Sequence, residues 1–106
     1  MSWGKREQIA VLRTIALIMR ADYETAPEEV AFMEKFLHNF GMSSSDIREA
    51  RQMSNEEMSR IISNFTAVEK EALKAYWIAT AKADGKILDS ECEQIEILSH
   101  MCDIRF

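Results

Sequence analysis

The chain has 106 residues, a length that suits one compact domain. Its composition, 47% hydrophobic and 29% charged, is typical of a globular protein and argues against a disordered chain. The net charge of −5 argues against a general nucleic-acid-binding role, because phosphate binding requires a basic face. We therefore expect a single domain over residues 1–106 and no nucleic-acid partner.

The most apolar run, Ile9–Met19, contains Arg13 and is shorter than the roughly 20 residues of a membrane span. The charges of Lys5–Glu7 are mixed, which is unlike a signal peptide. Cys92 and Cys102 fall on one predicted helix, too far apart for a disulfide, and both are expected to be small buried hydrophobic residues. These features predict a reduced, cytoplasmic setting and no membrane span.

Two helices are predicted in the first forty residues. Over residues 5–20 the apolar residues recur at helical spacing on a wide stripe, which predicts a central, largely buried helix. Pro27 favours the start of a second helix, because proline is tolerated in a first turn. Its apolar face runs to Phe40, and Gly41 is expected to end it in a left-handed C-cap.

Two short helices are expected within residues 44–63. Ser43 and Ser54 are their predicted N-caps, because a serine hydroxyl accepts a hydrogen bond from a free backbone N–H of the first turn. Glu57 is expected to close a capping box with Ser54. The two helices would bridge the first and the last thirds of the chain.

A long fifth helix at about 67–83 and a shorter sixth one complete the chain. Thr66 and Glu69 form a predicted capping box at the start of the fifth helix. A face of small and apolar residues on this helix is expected to pack closely against a neighbour: Phe65, Val68, Ala72, Ala75, Ala79 and Ala83. Leu73, Tyr76 and Trp77 are expected to supply bulk beside this face. The residues expected to point inward from the sixth helix are Cys92, Ile95, Leu98 and Cys102.

The loops before the second and the sixth helix are related by an internal repeat. The spacing from Asp22 to Asp84 is the same as the spacing from Glu29 to Glu91, and we call this spacing the repeat offset. Each loop reads as a basic residue, Ala and Asp, followed by Glu seven residues after the Asp. The sequence therefore places the same acidic pair at two equivalent points of the chain.

The repeat offset relates the helices themselves as well. Ile15 aligns with Trp77, and further core positions and the two histidines align in the same way. The chain is thus predicted to be all-α, with about six helices. Its two helix–loop–helix halves, at about 5–40 and 67–102, would be related by a pseudo-two-fold axis and bridged by the short helices within 44–63.

The residues Ala83–Ile87 followed by Glu91, after a helix that ends in Ala79–Lys82, resemble the TerB-like family. The first copy, Ala21 to Glu29, fits the two-halved pattern of that family, although it lacks the Gly. The resemblance extends from about Ile9 to Ile104. It implies an all-α domain that acts in stress-response or tellurite-resistance systems.

The resemblance also implies that the acidic loop residues are candidate metal ligands: Asp22, Glu29, Asp84 and Glu91. A structural role is the alternative. Asp22 and Asp84 follow predicted helix C-termini, where the helix dipole disfavours an anion, so each carboxylate is expected to accept N–H groups of the next helix. Such an aspartate would pin the angle between two helices without binding an ion.

Residues 84–91 also resemble the second half of an EF-hand loop. The ligand positions one and three of that loop would fall on Thr80 and Lys82. A lysine ammonium cannot coordinate calcium, so the sequence argues against an EF-hand site.

The sequence contains no nucleophile elbow, Gly-rich phosphate loop or Cys–His metal knuckle. His38 and His100 lack the neighbours of a zinc site. We therefore expect a non-catalytic interaction module without a cofactor, which binds a protein partner or a second copy of itself in a homodimer. Divalent-cation binding at the acidic loops is the alternative function.

Overall fold

The computed structural model describes residues 3–19, 27–82 and 89–106. Within these ranges the chain is all-helical, with no strand, which confirms the predicted fold class. None of the described helices combines the length and the apolar character needed to cross a membrane. The helices are α1 (Lys5–Met19), α2 (Pro27–Asn39), α3 (Ser44–Gln52), α4 (Asn55–Ser63), α5 (Ala67–Ala81) and α6 (Asp89–Met101).

The helix bounds follow the repeat offset found in the sequence. Helices α1 and α5 each have 15 residues, and α2 and α6 each have 13. The bounds that this offset pairs are Lys5 with Ala67, Met19 with Ala81, Pro27 with Asp89 and Asn39 with Met101. The repeat therefore relates the residues at which the helices of the two halves begin and end. The pseudo-two-fold axis between the halves stays a prediction.

The C-terminal ends of α2 and α6 share one local geometry. Gly41 has a φ of 62° and Asp103, its repeat counterpart, has a φ of 55°. In both helices the amide of the next residue donates to the carbonyl five residues back, at 2.8 Å after α2 and 2.9 Å after α6. After α2 the Gly41 amide also donates to the His38 carbonyl at 3.2 Å, which completes the Schellman arrangement and satisfies carbonyls that a helix end leaves free. The predicted left-handed cap at Gly41 is confirmed.

The N-terminal caps of α4 and α5 also follow the sequence. The Ser54 hydroxyl accepts the Glu57 N–H at 3.1 Å. The Thr66 hydroxyl accepts the Glu69 N–H at 3.2 Å, and the Glu69 carboxylate accepts the Thr66 N–H at 2.8 Å. The predicted cap at Ser54 and the predicted capping box at Thr66 are confirmed.

The two remaining capping predictions hold in part. Ser43 is the N-cap residue of α3, as predicted, and its N–H donates to the Asp46 carboxylate at 2.8 Å. Glu57 does not close a box with Ser54, because its carboxylate pairs with the guanidinium of Arg6 on α1. A charged partner from another helix replaces the local backbone donor.

Helix α1 is the centre of the molecule and packs against α3, α4, α5 and α6. Eight of its fifteen residues are buried, which confirms the predicted central helix. At its crossing with α5, the indole Nε1–H of Trp77 donates to the Thr14 hydroxyl at 2.8 Å. That hydroxyl donates in turn to the carbonyl of Val11 at 2.7 Å. Both side chains are fully buried, so the crossing has a polar link inside the core.

The buried face of α5 follows the prediction in part: the bulky Leu73 and Trp77 and the preceding Phe65 are buried, but the alanine face is not the most buried one, and Ala83 lies outside the described residues. The helix buries Leu73, Trp77, Thr80 and Ala81. Val68 is 70% exposed, and Ala75 is exposed as well. The reason is that Leu73 and Trp77 remove far more apolar area from water than alanines can, so they decide which way the helix is rotated.

The expected inward face of α6 was wrong at Cys92, whose side chain is exposed. The buried positions Glu91, Leu98 and Cys102 form a helical stripe with the half-buried Ile95, and this stripe starts one residue before Cys92. One residue corresponds to a rotation of about 100° around the helix, which moves Cys92 towards solvent.

Candidate functional site

The predicted acidic sites are only partly within the described residues. Asp22 and Asp84 lie outside them, and of Glu29 only the backbone position is described. Glu29 and Glu91 occupy the same third position of α2 and α6, and the Glu91 side chain is 1% exposed. Within the described ranges no three His, Cys, Asp or Glu side chains are grouped to hold a metal ion. The cation site and the pinning role both stay predictions.

An apolar groove of about 340 Å³ opens between α1, α2 and α3. This volume lies in the lower part of the range of roughly 300–1,000 Å³ found for ligand pockets. Its apolar lining consists of Leu12, Ala16, Leu17, Met19, Met33, Leu37, Ile47 and Ala50. Its polar lining consists of Arg13, Glu34 and Arg51.

The sequence of each helix explains why a groove is left here. Leu12, Ala16 and Met19 lie on one face of α1, because they are spaced by four and three residues. Ala16 is the small residue of that row, so the space above it stays open. Met33 and Leu37 form one wall from α2. Methionine side chains are flexible and adapt to irregular partners, which suits a surface that receives another molecule.

Arg13 joins the groove to the framework of the molecule. Its Nη1 donates to the carbonyls of Ala50 at 3.1 Å and Arg51 at 3.3 Å, and its Nη2 donates to Asn55 Oδ1 at 2.7 Å. The cation thus lies at the C-terminal end of α3, where the helix dipole favours it. Its Nε is buried and has no hydrogen-bond partner among the described residues. Arg13 is therefore both a cap for α3 and a fixed positive charge beside the groove.

The rim of the groove has a positive bias in an acidic protein. Arg51 is exposed and forms no ion pair with any described residue, and the half-buried Arg13 lines the same groove. Glu34, the acidic residue of the rim, is also exposed. An apolar floor with arginines at its edge can hold an apolar group and orient a nearby carboxylate.

A second concavity, of about 660 Å³, lies between α6 and the last residues of the chain. The exposed Cys92 thiol and the exposed His100 line it. Nearby, Cys102 is buried, and burial raises the pKa of its thiol to about 11. The Cys102 thiol is therefore protonated at neutral pH and unreactive, as expected for a core residue. His38, the repeat counterpart of His100, is exposed on α2.

Sequence reasoning did not find the groove, although two signals were present. The apolar stripe of α1 is wider than one neighbouring helix needs, and it contains the small Ala16. Met19 and Met33 are also close, along the sequence, to the first acidic loop of the repeat. Only the packing of α2 and α3 shows that these residues share one depression.

The sequence matches no protein-family model and no curated relative. Its fold is similar to the crystal structure of a protein of unknown function from Porphyromonas gingivalis W83, with a TM-score of 0.80 and 20% sequence identity. The match covers 100% of this chain and 89% of that chain. At this identity the likeness shows that the two chains share an all-helical fold.

Proposed function

We propose that this protein is a non-catalytic binding module whose groove between α1, α2 and α3 receives an apolar segment of a protein partner. The observation that carries the proposal is the groove itself: an open apolar depression with arginines at its edge. Recognition of an amphipathic helix in an apolar groove is a common way for helical domains to bind partners.

The charge at the rim defines the partner further. Arg51 has no described ion-pair partner, and Arg13 is fixed beside it by three hydrogen bonds. The complementary segment carries apolar residues on one face and an aspartate or glutamate next to them. The carboxylate would meet Arg51 at the rim, and the apolar residues would fill the space above Ala16.

A helical peptide library tests this directly, with selection on the wild-type protein and counter-selection on Ala16→Phe. Ala16 is half-buried where it lines the groove, so the larger apolar side chain should fill the groove and leave the fold intact, which urea unfolding checks. We expect wild-type-specific peptides with apolar residues spaced by three or four and an acidic neighbour. If the two proteins select the same peptides, or none, the groove is not a binding site.

The role of charge has a matched control within α3. Arg51→Glu should weaken a selected peptide by about tenfold or more, since it replaces an attraction with a repulsion. Arg48→Glu makes the same change in net charge at an exposed residue of α3 that does not line the groove, and it should have little effect. Changing the acidic residue of the peptide to lysine should restore binding to Arg51→Glu. Equal effects of the two substitutions would contradict the proposal.

The cellular setting that we propose, a cytoplasmic stress-response or tellurite-resistance system, rests on the TerB-like resemblance of residues 79–91. Deletion of the gene should sensitise the cell to tellurite, and the wild-type gene should restore resistance. A gene with Ala16→Phe should fail to do so. If deletion left the resistance to tellurite unchanged, the proposed role in tellurite resistance would be wrong. The binding groove is tested separately by the peptide experiments.

A further inference from the structure

The repeat of helix register shows an uncovered face on α5. On α1, the face that meets α3 and α4 includes Arg6, which pairs with Glu57, and Arg13, which binds the end of α3. Ala16 continues this face along the groove beside α3. In α5, the repeat counterparts of Arg6, Arg13 and Ala16 are Val68, Ala75 and Ile78. All three are exposed.

The exposed face of α5 is apolar, although positions that face solvent usually favour polar side chains. The charged Arg6 and Arg13 of α1 are replaced in α5 by the apolar Val68 and Ala75, although the α5 positions face solvent. Val68 is 70% exposed and Ile78 is 40% exposed. An exposed apolar face with polar residues around it is typical of a protein–protein contact.

Charged residues at the two ends of the face are arranged so that it can pair with itself. Glu71 lies four residues before Ala75, and Lys82 lies four residues after Ile78. Glu71 and Lys82 are both exposed, and eleven residues place them on the same side of the helix, three turns apart. When two such helices run antiparallel about a two-fold axis, Glu71 of each faces Lys82 of the other, and Ala75 faces Ile78.

We propose that the exposed face of α5 is a homodimer interface, in which α5 packs antiparallel against α5 of a second copy of this chain. A two-fold interface requires a self-complementary surface, and the order Glu71, Ala75, Ile78, Lys82 has that property. The alanine allows the helix axes to approach closely. In the single chain the exposed Glu71 pairs with the half-buried Lys74 at 2.8 Å, and the contact with Lys82 replaces this pair. This inference does not depend on the groove.

Sedimentation velocity of the full chain over protein concentrations from roughly 1 μM to 1 mM tests the proposal. We expect reversible dimers for the wild type. Ala75→Glu should raise the dissociation constant by about tenfold or more, because it places two carboxylates at the centre of the contact. Since Ala75 is exposed in the single chain, the urea midpoint measured at low protein concentration should change little.

Charge exchange then tests the antiparallel geometry. Glu71→Lys and Lys82→Glu should each weaken the dimer, and the double variant should restore it, because opposite charges face each other again. The controls for net charge are Glu49→Lys for Glu71→Lys and Arg48→Glu for Lys82→Glu, both at exposed residues of α3. A wild type that stays monomeric at the highest concentration would overturn the homodimer. A dimer that survives Ala75→Glu, or that the double variant does not restore, would overturn this interface.

Discussion

Thr14 and Trp77 show how a single polar pair can determine how two helices cross. The Thr14 hydroxyl is fully buried, and it is the acceptor for the buried indole N–H of Trp77. If a buried N–H donor loses its acceptor, no hydrogen bond offsets the free-energy cost of its removal from water. The pair therefore favours the observed rotation of α1 against α5, because another rotation would separate the two groups.

We expect Thr14→Val to lower the free energy of unfolding by about 1–3 kcal/mol, because the substitution keeps the volume but leaves the Trp77 N–H without a partner. Thr14→Ser keeps the hydroxyl and should cost less. Urea unfolding of both variants, with Trp77→Phe as the second arm of a double-mutant cycle, gives the coupling between the two side chains. If Thr14→Val were the milder change, the hydrogen bond would not be the stabilising contact.

Asp46 contributes a pH-dependent part of the stability. The Ser43 N–H lowers the pKa of this carboxyl most, and Lys5 lowers it further, while partial burial acts in the opposite direction. Because the folded pKa lies below the unfolded value, the contribution is present above the unfolded pKa and is lost as the pH falls through the folded one.

Urea unfolding of wild type and Asp46→Asn at several pH values measures that contribution. The wild type should be the more stable protein at neutral pH, since the neutral amide loses the charge that Ser43 and Lys5 favour. The difference should shrink as the pH falls below about 4, where the carboxyl gains its proton. A difference that stays constant down to about pH 2 would show that packing, and not ionisation, is responsible.

At the scale of elements, the C-cap of α2 allows the free-energy cost of a left-handed backbone conformation to be measured. Gly41→Ala should destabilise by about 1 kcal/mol, because alanine resists a positive φ. Steric clash does not contribute, since a Cβ at this position would meet no atom within 4 Å. Gly41→Asn should cost less, because asparagine tolerates this conformation. Thermal or urea unfolding would contradict this account if alanine and asparagine had equal effects.

The acidic loops also belong to this scale. If Glu91 and its repeat counterpart Glu29 only help to hold helix pairs together, calorimetric titration with calcium, magnesium or zinc should show no stoichiometric binding at micromolar affinity. The position of the buried Glu91 in the first turn of α6 agrees with a structural role, because anions favour helix N-termini. Micromolar binding that disappears in Glu91→Gln would establish the alternative, a cation site.

At the scale of the whole molecule, the central position of α1 predicts cooperative unfolding. Ile15 is fully buried in α1, which packs against α3, α4, α5 and α6. Ile15→Ala should cost about 2–5 kcal/mol, and helix content and tryptophan fluorescence should be lost in one shared transition. Ile97→Ala, the same change at a residue that is 52% exposed, should cost far less. Separate transitions for the two signals would mean that the halves unfold independently.

The sequence by itself determined the helices, their approximate bounds and three of their caps. Ser54, Thr66 and Gly41 act through backbone groups within five residues of themselves, so the information that they need is local. The repeat offset was also visible in the sequence, and the helix bounds follow it. Local hydrogen bonding and hydrophobic period are sufficient for predictions of this kind.

Only the tertiary structure decided which partner each polar group takes and which face each helix buries. Glu57 could have closed a local box, but it pairs with Arg6, which is 51 residues away. Burial of Trp77 and Leu73 sets the rotation of α5, so that Val68 faces solvent. The open space above Ala16 forms a groove because α2 and α3 pack beside it. These outcomes depend on competition between contacts from distant parts of the chain. The helical periodicity of the sequence does not predict which of those contacts forms, because that depends on how the helices pack against each other.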